Sequence, residues 1–373
     1  MKVLVLTTNT GGGHNSAARA VTEAFRQLGC AVSLKDSLAL INRRASHITE
    51  ATYVSIVRNV PGVFGFLYKA GRLISTPKHK SVVYFANTIG VKKLYDYILQ
   101  YNPDAIITSH LFCAHELTYI KRSLGGLPYT AGIMTDYTCQ PFWEDTELDE
   151  YFTPHESLTD LFVAHGINRD KLRPYGIPVS PACYKRLPVR EAKIKYGYNQ
   201  NASHIMLIGG SMGAGKLDAV VGPLIGSLYG VQVTVVCGSN QKLYERLQCQ
   251  YRGNSNIHIK GLVSPLYPLM DTADIILAKA GGLTSTEVVT KCIPYVVVNP
   301  INGVETENSE YLSNHGLALY ATDEETAVTY TKQLLRDENM RRDMTAAQMT
   351  GIQRDSGVRI ARHVVRHLRK NNS

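Results

Sequence analysis

The sequence has no C-x-x-C pair. Its seven cysteines, Cys30, Cys113, Cys139, Cys183, Cys237, Cys249 and Cys292, are scattered and odd in number. That pattern argues against a disulfide framework and a zinc ribbon, and predicts free thiols in a reducing compartment. There is no run of about 18 apolar residues, the length a membrane-spanning helix requires. The opening MKVLVLTTN resembles a signal peptide for only five residues. Its apolar run is too short for such a segment and enters a glycine turn, so it reads as a first strand. Acid is missing altogether between Ala51 and Tyr95, whereas the whole chain carries 40 Lys and Arg against 31 Asp and Glu. The net charge of +9 favours an anionic partner. At 373 residues and 44% hydrophobic content, the chain is long enough for two folded domains.

What is present begins with the turn Thr10-Gly11-Gly12-Gly13-His14. It follows Val3-Leu4-Val5-Leu6 and precedes a helix-like stretch from Ser16 to Leu28. Glycines permit a sharp turn and close approach of a ligand, and the following helix N-terminus attracts negative charge. His14 adds a side chain suited to taking a proton near neutral pH. Gly11-x-Gly13-x-x-Ser16 lacks the third glycine of a dinucleotide fingerprint, which makes a dehydrogenase a poor reading.

Short apolar runs recur at Ala31–Leu34, Asp104–Thr108 and Thr130–Met134, separated by helical stretches. The plan restarts at His204–Ile208 and continues through Val231–Val236, Ile257–Ile259, Ile275–Leu277 and Tyr295–Val298. Buried strands alternating with helices predict parallel sheets covered on both faces. The predicted fold is α/β with two Rossmann-like domains facing a shared cleft, residues 1–178 and 179–354. A C-terminal helix over 355–373, apolar at Val358, Ala361, Val364, Val365 and Leu368, is expected to return to the first domain.

Several second-half segments fit phosphate or sugar chemistry. Gly210 to Lys216 has P-loop spacing, but Leu217 stands where a magnesium-binding Ser or Thr is needed, so it reads as a phosphate turn only. Lys279-Ala-Gly-Gly-Leu-Thr-Ser-Thr-Glu287 follows a strand and exposes backbone N–H groups, with Thr284 and Ser285 placed to cap a helix or bond phosphate. Glu287 has capping-box spacing from Thr284 and equally suits a ribose diol. Asn299 to Asn308 is a loop rich in amide and carboxylate groups at a strand's end.

The acid-free stretch interleaves Arg58, Lys69, Arg72, Lys78, Lys80, Lys92 and Lys93 with Tyr53, Phe64, Phe66, Leu67 and other large apolar residues. That mixture predicts contact with an anionic bilayer rather than nucleic acid. A helical pair with its apolar face in the core is the alternative.

Taken together, the chain resembles the monogalactosyldiacylglycerol synthase and processive diacylglycerol glucosyltransferase family, of glycosyltransferase family 28 type with the GT-B fold. The resemblance rests on Thr10 to His14, Met134-Thr-Asp-Tyr137 with Trp143, Gly176-Ile-Pro178, Gly209 to Gly213, Val236 to Ser239, Gly261-Leu-Val263 and Lys279 to Glu287. It implies an inverting hexosyltransferase that moves sugar from a UDP-hexose to diacylglycerol or a glycosyldiacylglycerol. No D-x-D metal motif stands out and no cofactor is implied. His14 matches the catalytic base. Gly210, Ser211, Gly213, Val263, Gly281, Gly282, Leu283, Thr284, Glu287, Glu305 and Asn308 are implied at the donor, with Val263 beside the uracil and Glu287 on the ribose. Gly12, Gly13, Arg58, Phe64, Phe66, Lys69, Lys78, Lys80, Asp136 and Trp143 are implied on the acceptor and membrane side. The expected location is cytoplasmic, peripheral on the inner face of the cell membrane. Alternatives are a polyprenyl-linked or other lipid acceptor, or a non-catalytic nucleotide-sugar-binding protein. Val304 departs from the family glutamine, which leaves glucose and galactose both open as the hexose.

Overall fold

The computed structural model describes residues 1–8, 12–41, 81–88, 90–210, 213, 217–298 and 303–371. Thr10, Gly11, Ser211 and the basic apolar positions Arg58, Phe64, Phe66, Lys69, Lys78 and Lys80 lie outside the described residues. The chain divides into two compact units, Met1–Ser180 with Gln353–Ser373, and Pro181–Ile352.

In the first unit the described strands are β1 (Lys2–Thr7), β2 (Ala31–Asp36), β3 (Ala105–Thr108), β4 (Tyr129–Ile133), β5 (Glu150–Phe152) and β6 (Leu172–Arg173). They form a sheet in the order β2-β1-β3-β4-β5-β6, with every pairing parallel. In the second unit β7 (His204–Ile208), β8 (Gln232–Val236), β9 (Ile257–Lys260), β10 (Ile275–Ala278), β11 (Tyr295–Val297) and β12 (Leu319–Tyr320) take the order β12-β11-β10-β7-β8-β9, again all parallel. Central strands such as β3, β7, β8 and β10 are buried along their whole length, because helices cover both faces of a parallel sheet.

Each sheet has a point where the chain leaves its first strand on one side and later returns on the other. In the first sheet it lies between β1 and β3, and in the second between β7 and β10. Loops at the strand carboxyl ends part there, which makes these points the usual ligand sites of open α/β sheets.

The helix Gly12–Gln27 packs Ala18, Val21, Ala24 and Phe25 onto Val3, Val5 and Ile107. The C-terminal helix Ser356–Asn371 adds Ile360, Ala361, Val364, Val365 and Leu368 to the same core. Burial of each such aliphatic side chain stabilises the unit by about 1.5–3 kcal/mol. Gly176 lets this helix enter: its φ is +91°, and a Cβ there would sit 2.4 Å from Ser356 Oγ. Glu150 then ties the helix to the sheet edge. It accepts from His363 Nε2 at 2.6 Å and from the Tyr129 hydroxyl, and pairs with Arg173 at 2.6 Å. Burial pushes its carboxyl up, but these partners outweigh burial and hold it at about 2.

Candidate active site

The helix carrying His14 starts at Gly12, four residues before the first residue of the expected helical stretch. Gly12 and Gly13 carry no apolar signal, so the periodicity becomes visible only at Ala17. His14 is therefore the third helical residue, beside the switch point of the first sheet. It is half-buried.

His14 Nδ1 lies 2.8 Å from the carbonyl oxygen of Ser109 and 3.1 Å from Thr135 Oγ1. A carbonyl can only accept, so Nδ1 carries the proton. Nε2 is left with its lone pair. Burial lowers the pKa of His14, opposed by the charge of Asp136 and the Ser109 bond. A neutral imidazole with a basic Nε2 follows at neutral pH. The bracket around it is firm: Ser109 Oγ donates to the His14 carbonyl at 3.0 Å, and Thr7 Oγ1 donates to Asn15 Oδ1 at 2.9 Å.

Two further histidines surround this base. The His110 ring meets the His14 ring edge-on, with centroids 4.5 Å apart. Its Nδ1 accepts from Phe112 N at 3.1 Å and caps the helix Leu111–Ser123. Burial, then His14 and His115, push its pKa well below the ordinary value. His115, fully buried, has its Nδ1 2.9 Å from Asn87 Nδ2 and its Nε2 2.9 Å from the Phe142 carbonyl. Ser109, His110 and Thr135 were not among the sequence candidates. The readable signal was Thr108-Ser109-His110, a histidine directly after a buried strand, mirroring His14 after β1.

Asp136 is half-buried beside His14 and accepts from Gln140 Nε2. Trp143, expected on the acceptor or membrane side, corrects that expectation. It is 4% exposed and fills the space over Gly132, where a Cβ would lie 3.0 Å from its ring. Its role is packing.

In the second unit the turn after β10 opens the helix Gly282–Thr290, with Gly281 as N-cap and no side-chain cap bond. The capping-box reading of Thr284 and Glu287 is therefore wrong, because Thr284 is the third helical residue. Ser285 is also turned away from any ligand: it is fully buried, with Oγ 3.1 Å from the Tyr295 hydroxyl. Gly282 and Leu283 are buried, while Gly281, Thr284 and Glu287 keep one partly open edge. A Cβ at Gly281 would meet nothing within 4 Å. Burial raises the Glu287 carboxyl to about 7 despite Lys291. Among the described residues its carboxylate has no hydrogen-bond partner.

Lys279 Nζ pairs with Glu305 Oε1 at 2.9 Å, joining this turn to the start of the helix Val304–Asn314. Asn308, expected at the donor, is 0% exposed and donates from Nδ2 to the Ala280 carbonyl at 2.8 Å. With no surface to offer a sugar, it supports the turn from behind. Gly213 has a similar structural part. Its φ is +58°, and a Cβ would stand 1.9 Å from the Cys237 carbonyl oxygen. Asn240 Nδ2 donates to its carbonyl at 3.0 Å. Gly210 has φ +70° and open space where a Cβ would be, and Val263 is half-exposed beyond β9. Among the described residues, no three His, Cys, Asp or Glu side chains converge as metal ligands would.

Residues 14–179 match the family model of monogalactosyldiacylglycerol (MGDG) synthase, and residues 204–363 match the glycosyltransferase family 28 C-terminal domain. The chain belongs to this family of glycosyltransferases. It is 27% identical over 339 residues to a probable monogalactosyldiacylglycerol synthase, chloroplastic, of Nicotiana tabacum, covering 86% of this chain and 62% of the relative. It is 26% identical over 340 residues to the processive diacylglycerol beta-glucosyltransferase of Bacillus subtilis, covering 91% of this chain and 88% of the relative. The chain thus spans less than two thirds of the plant relative's length. Among solved structures, MurG of Acinetobacter baumannii aligns with a TM-score of 0.60 at 18% identity, covering 99% of both chains. The glycosyltransferase SnogD of Streptomyces nogalater aligns with a TM-score of 0.59 at 13% identity, also over 99% of both. Those likenesses speak to fold, and the fold is GT-B.

Proposed function

We propose that this family member transfers a hexose, with inversion, from a UDP-sugar to diacylglycerol or a glycosyldiacylglycerol at a membrane surface, without a metal ion. The observation that carries the reading is the state of His14. Its Nδ1 proton is committed to Ser109, so Nε2 is the free base. Nε2 takes the proton of the acceptor hydroxyl as that oxygen attacks C1. The C1–phosphate oxygen bond breaks on the opposite face, and UDP leaves with the electron pair. The helix N-terminus at Gly281 faces the departing diphosphate and supplies partial positive charge in place of a cation. Glu287, with an unpartnered carboxylate, takes the ribose hydroxyls. Glu305, held by Lys279, reads the hexose.

In this reading the first unit receives the acceptor and the second holds the donor. Membrane contact is supported by the described end of the basic apolar stretch. Val83 and Phe85 are 38% and 58% exposed, and Lys92 and Lys93 are exposed nearby. Among the described residues no helix is long and apolar enough to cross a membrane. We place the protein peripherally on the cytoplasmic face.

His14→Ala tests the assignment. Transfer of labelled hexose into extracted lipid should vanish while UDP binding, followed by calorimetry, stays near that of the parent. Transfer at the parental rate would sink the base assignment. An unchanged rate in a chelator is expected for a metal-independent reaction.

A further inference from the structure

The exposed face of the C-terminal helix carries three arginines without partners among the described residues. Arg362, Arg366 and Arg369 are exposed and stand at i, i+4 and i+7, one above the other. Among the described residues, none makes a hydrogen bond or ion pair. Three other arginines of this unit are engaged: Arg122 with Glu147, Arg169 with Asp160, Arg173 with Glu150. Like charges at this spacing repel one another. Position at a helix C-terminus accounts for Arg369 and Lys370 through the helix dipole, but not for Arg362 in the middle. With Leu28, Val365 and Lys370, the three arginines line a groove of about 500 Å³.

The groove is far from the candidate base. Leu28 follows the helix that begins beside His14, and Ala31 N bonds the Met1 carbonyl at the strands' amino ends. Fourteen residues at 1.5 Å each separate His14 from Leu28 by about 20 Å along that helix. A ligand here is neither the reacting acceptor nor the leaving diphosphate.

We propose that this groove is a second anion site, which binds a soluble molecule bearing two or more clustered phosphate groups. Guanidinium forks at successive helical turns match phosphates spaced along a short chain, and each forms charge-assisted paired hydrogen bonds. The open groove, whose lining also includes Leu28 and Val365, has room for a compact ligand. Its place at the opposite end of the sheet from His14 turns it away from a bilayer that delivers the acceptor. That last point rests on the proposed function; the arginine row does not.

The test uses the full chain saturated with UDP, so that the donor site is filled, and titrates inorganic tripolyphosphate by calorimetry. The variant Arg362→Gln with Arg366→Gln and Arg369→Gln should bind about tenfold more weakly or worse. A control of equal charge change in the other unit, Lys195→Gln with Lys242→Gln and Arg252→Gln, should stay within about threefold, the effect expected of net charge alone. The near-ultraviolet circular dichroism and Tm of the arginine variant should equal the parent's, which shows that the first unit keeps its fold. Absent binding by the parent, or equal weakening in the control, overturns the proposal. So does sedimentation with phosphatidylglycerol vesicles that needs these arginines while tripolyphosphate goes unbound. No readout involves sugar transfer, so failure here is separate from failure of the proposed reaction.

Discussion

The two sheets surround the same topological feature with different side chains. After β1 and β3, the first switch point gathers imidazoles: His14 and His110 in edge contact, with His115 behind them. After β7 and β10, the second gathers glycines, a helix N-terminus and the Lys279–Glu305 pair. In the proposed reaction the first moves a proton and the second holds an anion. A parallel sheet supplies both with the same opening, and the side chains on the loops decide the chemistry.

The sharpest way to break that contrast is His14→Ala. Loss of a positioned general base costs about 10²–10⁴-fold in turnover, with donor binding left alone. A variant that lost UDP binding instead would erase the division between the sites. Lys279→Met should do the reverse. It removes the cation that pairs with the half-buried Glu305, which costs about 1.5–3 kcal/mol of stability and should raise the donor KM more than it lowers kcat. Denaturant titration and steady-state kinetics on one preparation would read both. Gly213→Ala belongs to the second site too. Its left-handed φ and the Cys237 carbonyl should make it destabilising by more than about 1 kcal/mol, visible as a lower Tm that UDP only partly restores.

Acidity sharpens the first site. In the proposed reaction His14 acts only when neutral, and its pKa is lowered from 6.5. Therefore kcat/KM should rise with pH through an inflection below 6.5 and be level at neutrality. An inflection above 6.5 would mean that the base is another group or that Asp136 prevails. Stability should follow Glu150. Its folded pKa of about 2 lies below the ordinary 4.5, so its contribution is complete above about pH 4.5 and is lost as pH falls toward 2. Glu150→Gln should flatten that part of the stability profile. The smallest effect is on the membrane side. Neutralising Lys92 and Lys93 should weaken sedimentation with anionic vesicles by about 1 kcal/mol per charge, and added salt should do the same to the parent.

Many of the strands could be read from apolar runs. β7 spans His204–Ile208, as the run itself does, and β1, β3, β4, β8 and β10 differ from theirs by a residue or two. β5, β6 and β12 were missed, because strands of two or three residues carry no period. His14 was visible as a base after a glycine turn. Trp143 was misplaced because an aromatic side chain reads alike at a surface and over a glycine. Ser285 and Asn308 were misplaced for a related reason: a polar residue in a ligand-like motif can turn inward to brace the backbone.

The sequence alone determined that this chain forms two parallel sheets and carries a base after its first strand, because buried strands and glycine turns are local patterns. Tertiary structure alone decided which nitrogen of His14 is basic, since the Ser109 carbonyl that fixes it is 95 residues away. It also decided which polar groups of the second turn face outward. Both depend on contacts between distant segments, and those exist only once the chain has packed.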